Sequence, residues 1–469
     1  MKRFFGAGDP EIRAPHLKSP DKLRRRFQSW GMANDGAKSP KVVFYGGMGY
    51  GNVGDEAQMG ASISRWQKLL PDAELSVFSP NPDYSEFQFH VPATWAPRVA
   101  WFHSNTNSTY FRSGPLFTIW YWTVWARLTV TARAMRSGLP LMLCSSSEYE
   151  VLRCLQRADG LHVSGGGYLT GMTRSRLWEC ALVMRLCQLL GTPYFLTGQT
   201  IGVFRGVMDR WIAKKAFGSA SIIYLRDQGI SEEELKGIGV SGSHIKSSFD
   251  DALFFESLDD EATAALLKRA GINADKPYVI ANFHYWGQNN RTSEKATQRF
   301  AELADLMAAQ GFQVLFVPMT PSDEAAEDAV IQCMDSPAVR MDYNYDYREA
   351  RAVYREASAV FTMKHHPIIF GYGEGVPVIS VALDDYYYHK NKGAMDNCGH
   401  GDFCLEKERF FSKDAEKVVK GFFENLPDYQ NEISNWVDSA RLQETEAIDR
   451  FIRQHLTPLL KGTKEPADD

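Results

Sequence analysis

The sequence predicts an α/β protein of two Rossmann-like, doubly wound domains facing each other across a cleft. Three observations carry this. Short apolar runs alternate with helical stretches, the pattern of a parallel sheet covered by helices. The alternation breaks off near residue 255 and resumes near 275. The chain is 469 residues long, enough for two large domains at roughly 100 to 200 residues each.

Residues 1–40 carry Pro10, Pro15, Pro20 and Pro40 among scattered charges and read as a basic arm ahead of the fold. The first domain, 41–255, opens with a strand at Lys41 to Phe44. A glycine loop follows, and Met59, Ile63, Trp66 and Leu70 then recur at helical spacing until Pro71. Further strands are expected at Glu74 to Phe78, Gly160 to Ser164, Tyr194 to Leu196 and Ser221 to Leu225. Helices are expected at Leu177 to Leu190 and Val207 to Phe217. The second domain, 256–425, repeats this grammar with strands at Tyr278 to Ala281, Gln313 to Val317, Ala359 to Thr362 and Pro377 to Val381. Helices fall around Thr297 to Ala309 and Tyr347 to Glu356. Residues 426–469 read as an amphipathic helical tail.

A content of 44% hydrophobic and 23% charged residues is that of a globular chain, and a net charge of −5 excludes a nucleic-acid binder driven by counterion release. Seven cysteines without a Cys-x-x-Cys pair fit neither a zinc ribbon nor a secreted disulfide framework. The basic N-terminus lacks an apolar signal core, and no apolar run reaches about 18 residues. A cytoplasmic protein is expected. Its charge is unevenly spread: residues 87–147 hold five Arg, no acid and five of the eleven Trp. This insertion either packs its aromatics on the first domain or, around 112–136, lies at a membrane surface, where Trp and Arg suit the headgroup boundary.

Gly49, Gly51 and Gly54 satisfy G-x-G-x-x-G between a strand and a helix. A dinucleotide site also wants an acid closing the second strand, and here Ser79-Pro80-Asn81 stands there, so nicotinamide binding is not expected. Asn52, Asp55 and Glu56 sit at the helix start. They either cap it or put a carboxylate beside a hydroxyl-bearing acceptor. Gly165, Gly166 and Gly167 end a strand and would admit a ligand or another domain to the backbone, and Gly198 to Gly202, with Gln199, closes a further strand in the same way. Arg226 ends another strand, as an anion ligand or as an ion-pair partner of Asp227. Ser231 to Leu235 reads as a capping box. The richest stretch is 359–392. A buried strand delivers Lys364, His365 and His366, a helix follows from Pro367, and a further strand leads to Tyr386, Lys390 and Lys392. Cations and imidazoles gathered at one sheet edge favour an anion site. Adjacent histidines without an acid or cysteine at ligand spacing do not make a metal site.

The chain resembles the polysaccharide pyruvyl transferases. The resemblance lies in GYGNVGDEAQ (49–58), SGGGYL (164–169), GQTIG (198–202), RDQGISEEEL (226–235), SFDDALF (248–254), FTMKHHPIIFGYGEGVPVIS (361–380) and YYYHKNKG (386–393), all in order. It implies a GT-B-like fold and phosphoenolpyruvate as co-substrate, with no further cofactor and no metal. The product would be a pyruvate ketal on two hydroxyls of a sugar or lipid-linked oligosaccharide. On that reading Arg226, Lys364, His365 and Lys390 bind the donor, and His366, with Asp55, does acid/base work. Asn52, Gly54, Glu56, Gly165 to Gly167 and Gln199 line the acceptor side. Two positions depart from the family pattern: Lys364 stands where an Arg is usual, and His365 replaces an apolar residue. A GT-B-like glycosyltransferase using a nucleotide sugar and a non-catalytic carbohydrate-binding relative are the alternatives.

Overall fold

The computed structural model describes residues 39–97, 115–227, 229–273, 275–284 and 290–457. Most of the N-terminal arm and the last part of the tail therefore lie outside the described residues, as do 98–114 of the aromatic insertion. The first sheet comprises β1 (Lys41–Tyr45), β2 (Glu74–Ser79), β3 (Ala93–Trp95), β4 (Gly160–Val163), β5 (Gly166–Leu169), β6 (Tyr194–Ile201), β7 (Ile223–Leu225) and β8 (Ile245–Ser247). Its order is β3-β2-β1-β4-β6-β7-β8, with β5 paired to β6 off that path. The second comprises β9 (Tyr278–Asn282), β10 (Gln313–Phe316), β11 (Ala338–Arg340), β12 (Ala359–Thr362), β13 (Val378–Ala382) and β14 (Cys404–Glu406), in the order β11-β10-β9-β12-β13-β14.

Every pairing in both sheets is parallel, with Val43 beside Ser76 and Leu161, and Val360 beside Ile280 and Val378. Parallel sheets are covered on both faces, which is why KVVFY, AVFT and VISVA are apolar on consecutive residues instead of alternating. In each sheet the strand order reverses once, between β1 and β4 and between β9 and β12. Ligands bind outside the carboxyl ends of strands at such switch points.

The two domains share a core. One apolar cluster runs from Phe44 and Val77 through Trp66 to Ile280, Leu315, Val360 and Ile368, whereas two others cover the outer faces of the sheets. The helix Val53–Leu69 is the common wall: Arg351 of the second domain donates to the carbonyls of Ala252 and Leu253, which pack beside it. The helices Leu426–Arg441 and Glu446–Phe451, the second continuing into a π-helical turn at Ile452–Leu456, return to the first domain. Trp436 lies against Tyr372 and Phe249, and Phe451 stacks on Phe195 at 4.3 Å and meets Trp66 edge-on.

Several expected elements shift. GQTIG does not close its strand, because β6 runs on to Ile201 and holds Gly198 and Gln199 inside the sheet. Gly166 and Gly167 begin the short strand β5. Ser231 is not a cap: Gly229 is the N-cap of the helix Ile230–Gly237, and Asp227 accepts from the backbone N–H of Ser231 at 2.8 Å. The helix after β12 begins at His365 and not at Pro367, since a proline in the first turn sacrifices no helical hydrogen bond.

Candidate active site

Segments after β1, β4, β9, β10, β12 and β13 reach the switch points, and between them lies a cleft of about 460 Å³. The first domain lines it with Tyr50, Asn52, Asp55, Gly167, Tyr168 and Arg176. The second adds His284, Thr320, Lys364, His365, His366 and Lys390. Two helices, Val53–Leu69 and His365–Gly373, start at this edge, so two partial positive poles point toward it.

The domains meet at the first of these N-termini. The Val53 N–H donates to the Met319 carbonyl of the second domain at 3.0 Å, and Asn52 Oδ1 accepts from Gly54 N at 3.2 Å. A Cβ on Gly54 would stand 1.9 Å from His366 Nδ1. Gly54 is thus glycine because an imidazole from the other domain occupies that space. Two of the helix's first N–H groups are already satisfied, which leaves this terminus poorly suited to a nucleotide phosphate.

The cations are tied to carboxylates. Lys364 Nζ donates to Asp323 Oδ2 at 2.6 Å and to Thr320 Oγ1 at 3.2 Å, and His284 Nδ1 lies 2.7 Å from Asp323 Oδ1. Arg226 is buried behind the cleft wall. It donates to Thr200 at 2.8 Å and pairs with Asp250, which also accepts from Gln58 and stands 3.5 Å from His365 Nε2. Burial pushes Asp250 up most strongly of any single influence, but the Arg226 guanidinium together with His365 and His366 outweighs it and holds the carboxyl well below its ordinary range.

Burial pushes Asp55 up to about 6, with Lys390 and Arg226 pulling the other way. Lys390 is lowered to about 7 by burial and by Arg226. Burial and Arg226 bring His365 down to about 3, and burial holds His366 well below its usual range, so both imidazoles are neutral in the free protein. A carboxyl and an amine that both titrate near neutrality, facing one cleft, are equipped for proton transfer.

Of the residues expected at the site, Asn52, Asp55, Gly167, Lys364, His365, His366 and Lys390 line the cleft together. The others support it from behind. Glu56 accepts from Gly49 N at 2.7 Å beneath the glycine loop, and Gln199 ties the strands by donating to the carbonyls of Val163 and Ser164. Gly165 packs under Asp251, to which its N–H donates at 2.9 Å. Gly166 has φ +154, and a Cβ there would strike the Tyr168 ring. Sequence reasoning missed Asp323, His284, Tyr168 and Arg176 and assigned no role to Asp250. Of these, only Asp250, within SFDDALF, and Tyr168, within SGGGYL, stood in a recognisable motif. Arg176 is held by Gly46 O and Glu179 and lies 6.0 Å from the Tyr50 ring and 5.6 Å from that of Tyr168. Among the described residues no cluster of three His, Cys, Asp or Glu side chains is placed to hold a metal ion, and no helix is long and apolar enough to cross a membrane.

Two doubly wound sheets with a shared cleft at their switch points define a GT-B-like fold, and solved structures agree. A glycosyltransferase from Rickettsia africae has TM-score 0.54 at 10% identity, over 91% of this chain and 100% of its own. HepE of Anabaena in complex with UDP has TM-score 0.52 at 13% identity, covering 90% and 100%. The UDP-GlcNAc 2-epimerase of Neisseria meningitidis bound to UDP-GlcNAc has TM-score 0.52 at 9% identity, covering 88% and 100%. These likenesses are of fold. No curated protein matches the chain. The model of the polysaccharide pyruvyl transferase family matches residues 52–385, well over half of the chain, and the protein belongs to that family of transferases.

Proposed function

We propose that the protein transfers a pyruvyl group from phosphoenolpyruvate to two hydroxyls of a sugar, in a polysaccharide or its lipid-linked precursor, forming a pyruvate ketal. The observation that carries this reading is the meeting of Lys364, His365, His366 and Lys390 with Asp55 in one cleft. Phosphoenolpyruvate is small and highly anionic, so it calls for cations and donors at short range and no nucleoside pocket.

In this mechanism Lys364 and Lys390 take the donor's carboxylate and phosphate, with the Arg226 charge behind them. The donor's negative charge draws a proton onto His366, which delivers it to the methylene carbon. C2 gains positive character, and a sugar hydroxyl adds to it while Asp55 accepts that hydroxyl's proton. The C2–O bond to phosphate breaks, inorganic phosphate leaves, and the second hydroxyl closes the ketal as its proton passes to His366, left neutral by the first transfer. Asp55, near 6, is mostly ionised at pH 7 and suited to be the base. Tyr50, Tyr168 and Arg176 form an aromatic, cationic wall where the sugar can stack. The reaction takes place in the cytoplasm, where the donor is made, and a lipid-linked acceptor brings the enzyme to the inner face of the membrane.

The test is phosphate release from phosphoenolpyruvate in the presence of a sugar acceptor, with mass analysis of the glycan. Activity should fall at least ~100-fold in His366→Ala, and unchanged turnover removes His366 from the mechanism. Thermal stabilisation by phosphoenolpyruvate and not by UDP-sugars supports this donor; the reverse outcome supports a glycosyltransferase. Binding of sugar without turnover of either donor supports a non-catalytic relative.

A further inference from the structure

The aromatic insertion has an inward and an outward side. On the helix Pro115–Arg136, Phe117, Tyr121, Val124 and Leu128 are buried, and Tyr121 lies 4.6 Å from Trp178. Trp122 and Trp125 pack on each other and on Trp211. The tryptophans that suggested a membrane contact are thus largely committed to the fold. Ile119 and Val130 are exposed singly on this helix, and a run of exposed apolar groups follows one turn later: Leu139, Leu141, Met142 and Leu143 are 60%, 46%, 58% and 44% exposed.

These four do not belong to a frayed end. Gly138, with φ +68, turns the chain, and Leu139 N then donates to Ala134 O at 2.9 Å. Leu143 N donates to Thr131 Oγ1 at 3.0 Å, and Arg127 donates to Leu143 O at 2.8 Å. The backbone is pinned at both ends and the side chains are held outward. Arg133 and Arg136, just before the loop, are exposed as well. Glu148, the first acid after residue 87, is buried and bound to Arg127 and to the Ser145 N–H, so it does not offset them.

We infer that Leu139–Leu143, with Arg133 and Arg136, docks this protein onto an anionic lipid bilayer. The leucines and methionine enter the boundary between headgroups and acyl chains while the guanidinium groups meet lipid phosphates. The docking element is therefore centred on the loop that follows 112–136. A fixed apolar tip beside the exposed Arg133 and Arg136 complements an anionic interface, whereas a neutral protein partner would leave the arginines unmatched.

Sedimentation of the full chain with phosphatidylcholine vesicles, with and without phosphatidylglycerol, tests this. The protein should sediment with the anionic vesicles only and be released by salt. Leu141→Asp with Met142→Asp should lower the bound fraction roughly tenfold, and so should Arg133→Glu with Arg136→Glu. Leu141→Ile should bind normally. Because Leu141, Met142 and Arg133 are exposed, the melting temperature should be unchanged in the Leu141/Met142 variants and in Arg133→Glu alone, whereas Arg136 also donates to the Leu189 carbonyl at 3.4 Å and its reversal is read against that control. Equal binding by wild type and the Asp variant overturns the inference, as does no binding to anionic vesicles. A wild-type dimer by light scattering that the Asp variant splits, without vesicle binding, assigns the loop to a second copy of the chain. The inference is independent of the pyruvyl transfer proposed above, since vesicle binding is read without turnover.

Discussion

His366 of the second domain occupies the space that Gly54 of the first leaves empty; a methyl group there would stand 1.9 Å from the ring nitrogen Nδ1. Gly54→Ala must therefore push the imidazole, or the whole second domain, away from the helix start. The overpacking should cost about 1–3 kcal/mol and lower the melting temperature. Activity should fall at least ~100-fold, since small misplacements of a reacting group have effects of that size. Adding His366→Ala should restore the melting temperature but not the activity. A Gly54→Ala protein as active as wild type would mean that the site does not need this contact.

Glu56 is buried against Gly49, and burial raises its carboxyl to about 8. Between about 4.5 and 8 the folded chain holds a proton that the unfolded chain releases, so Glu56 lowers stability as pH rises through that window. Glu56→Gln keeps an acceptor for Gly49 N and removes the titration. Its melting temperature should exceed that of wild type by about 2 °C or more at pH 8 and match it near pH 4. Thermal unfolding at the two pH values decides.

Lys390 carries the opposite sign. Its amine is lowered to about 7, so between about 7 and 10.5 the unfolded chain binds a proton that the folded chain does not, and stability rises with pH there. Lys390→Met should stabilise the ligand-free protein most at pH 6, with a gain that shrinks toward pH 9 and above. In wild type, phosphoenolpyruvate affinity should weaken as pH climbs through about 7 and Lys390 discharges. The variant should bind about 10- to 100-fold more weakly and lack that inflection. Calorimetric titration across pH measures both.

Asp323 accepts from Met319 N, Thr320 N and Lys364, with His284 beside it, all within 3.0 Å. Asp323→Ala strands an amine and two amides at once and should cost about 3–5 kcal/mol. Asp323→Ala with Lys364→Met should recover part of that loss. Chemical denaturation of the two variants checks the coupling; equal losses would show that the backbone amides, and not Lys364, set the cost.

Both sheets and their order of appearance were legible in the sequence because buried parallel strands are largely apolar on consecutive residues. Five strands escaped notice: β3, β8, β11 and β14 are three residues long and stand at the sheet edges, and the four-residue β5 pairs with β6 off the main path, all places where pairing decides the conformation more than composition does. Seven of the thirteen candidate site residues line the cleft because strand ends and glycine loops mark where a doubly wound sheet opens. Asp323 and His284 were invisible for a physical reason: their role lies in contact with Lys364 across β9, β10 and β12, and no local pattern encodes it. Gly165 and Gln199 carried a real signal, close backbone approach, but the neighbour that approaches is the protein itself.

Phe451 lies more than 250 residues beyond Phe195 and Trp66, yet it completes the packing around them. During synthesis the first domain leaves the ribosome long before that ring exists. Until the final helices arrive, Trp66 and Phe195 lack their cover and Arg65 lacks the Glu444 carboxylate. An expressed fragment ending near residue 255 would thus expose an aromatic face to aggregation, while one that also supplied residues 426–457 in trans could close it.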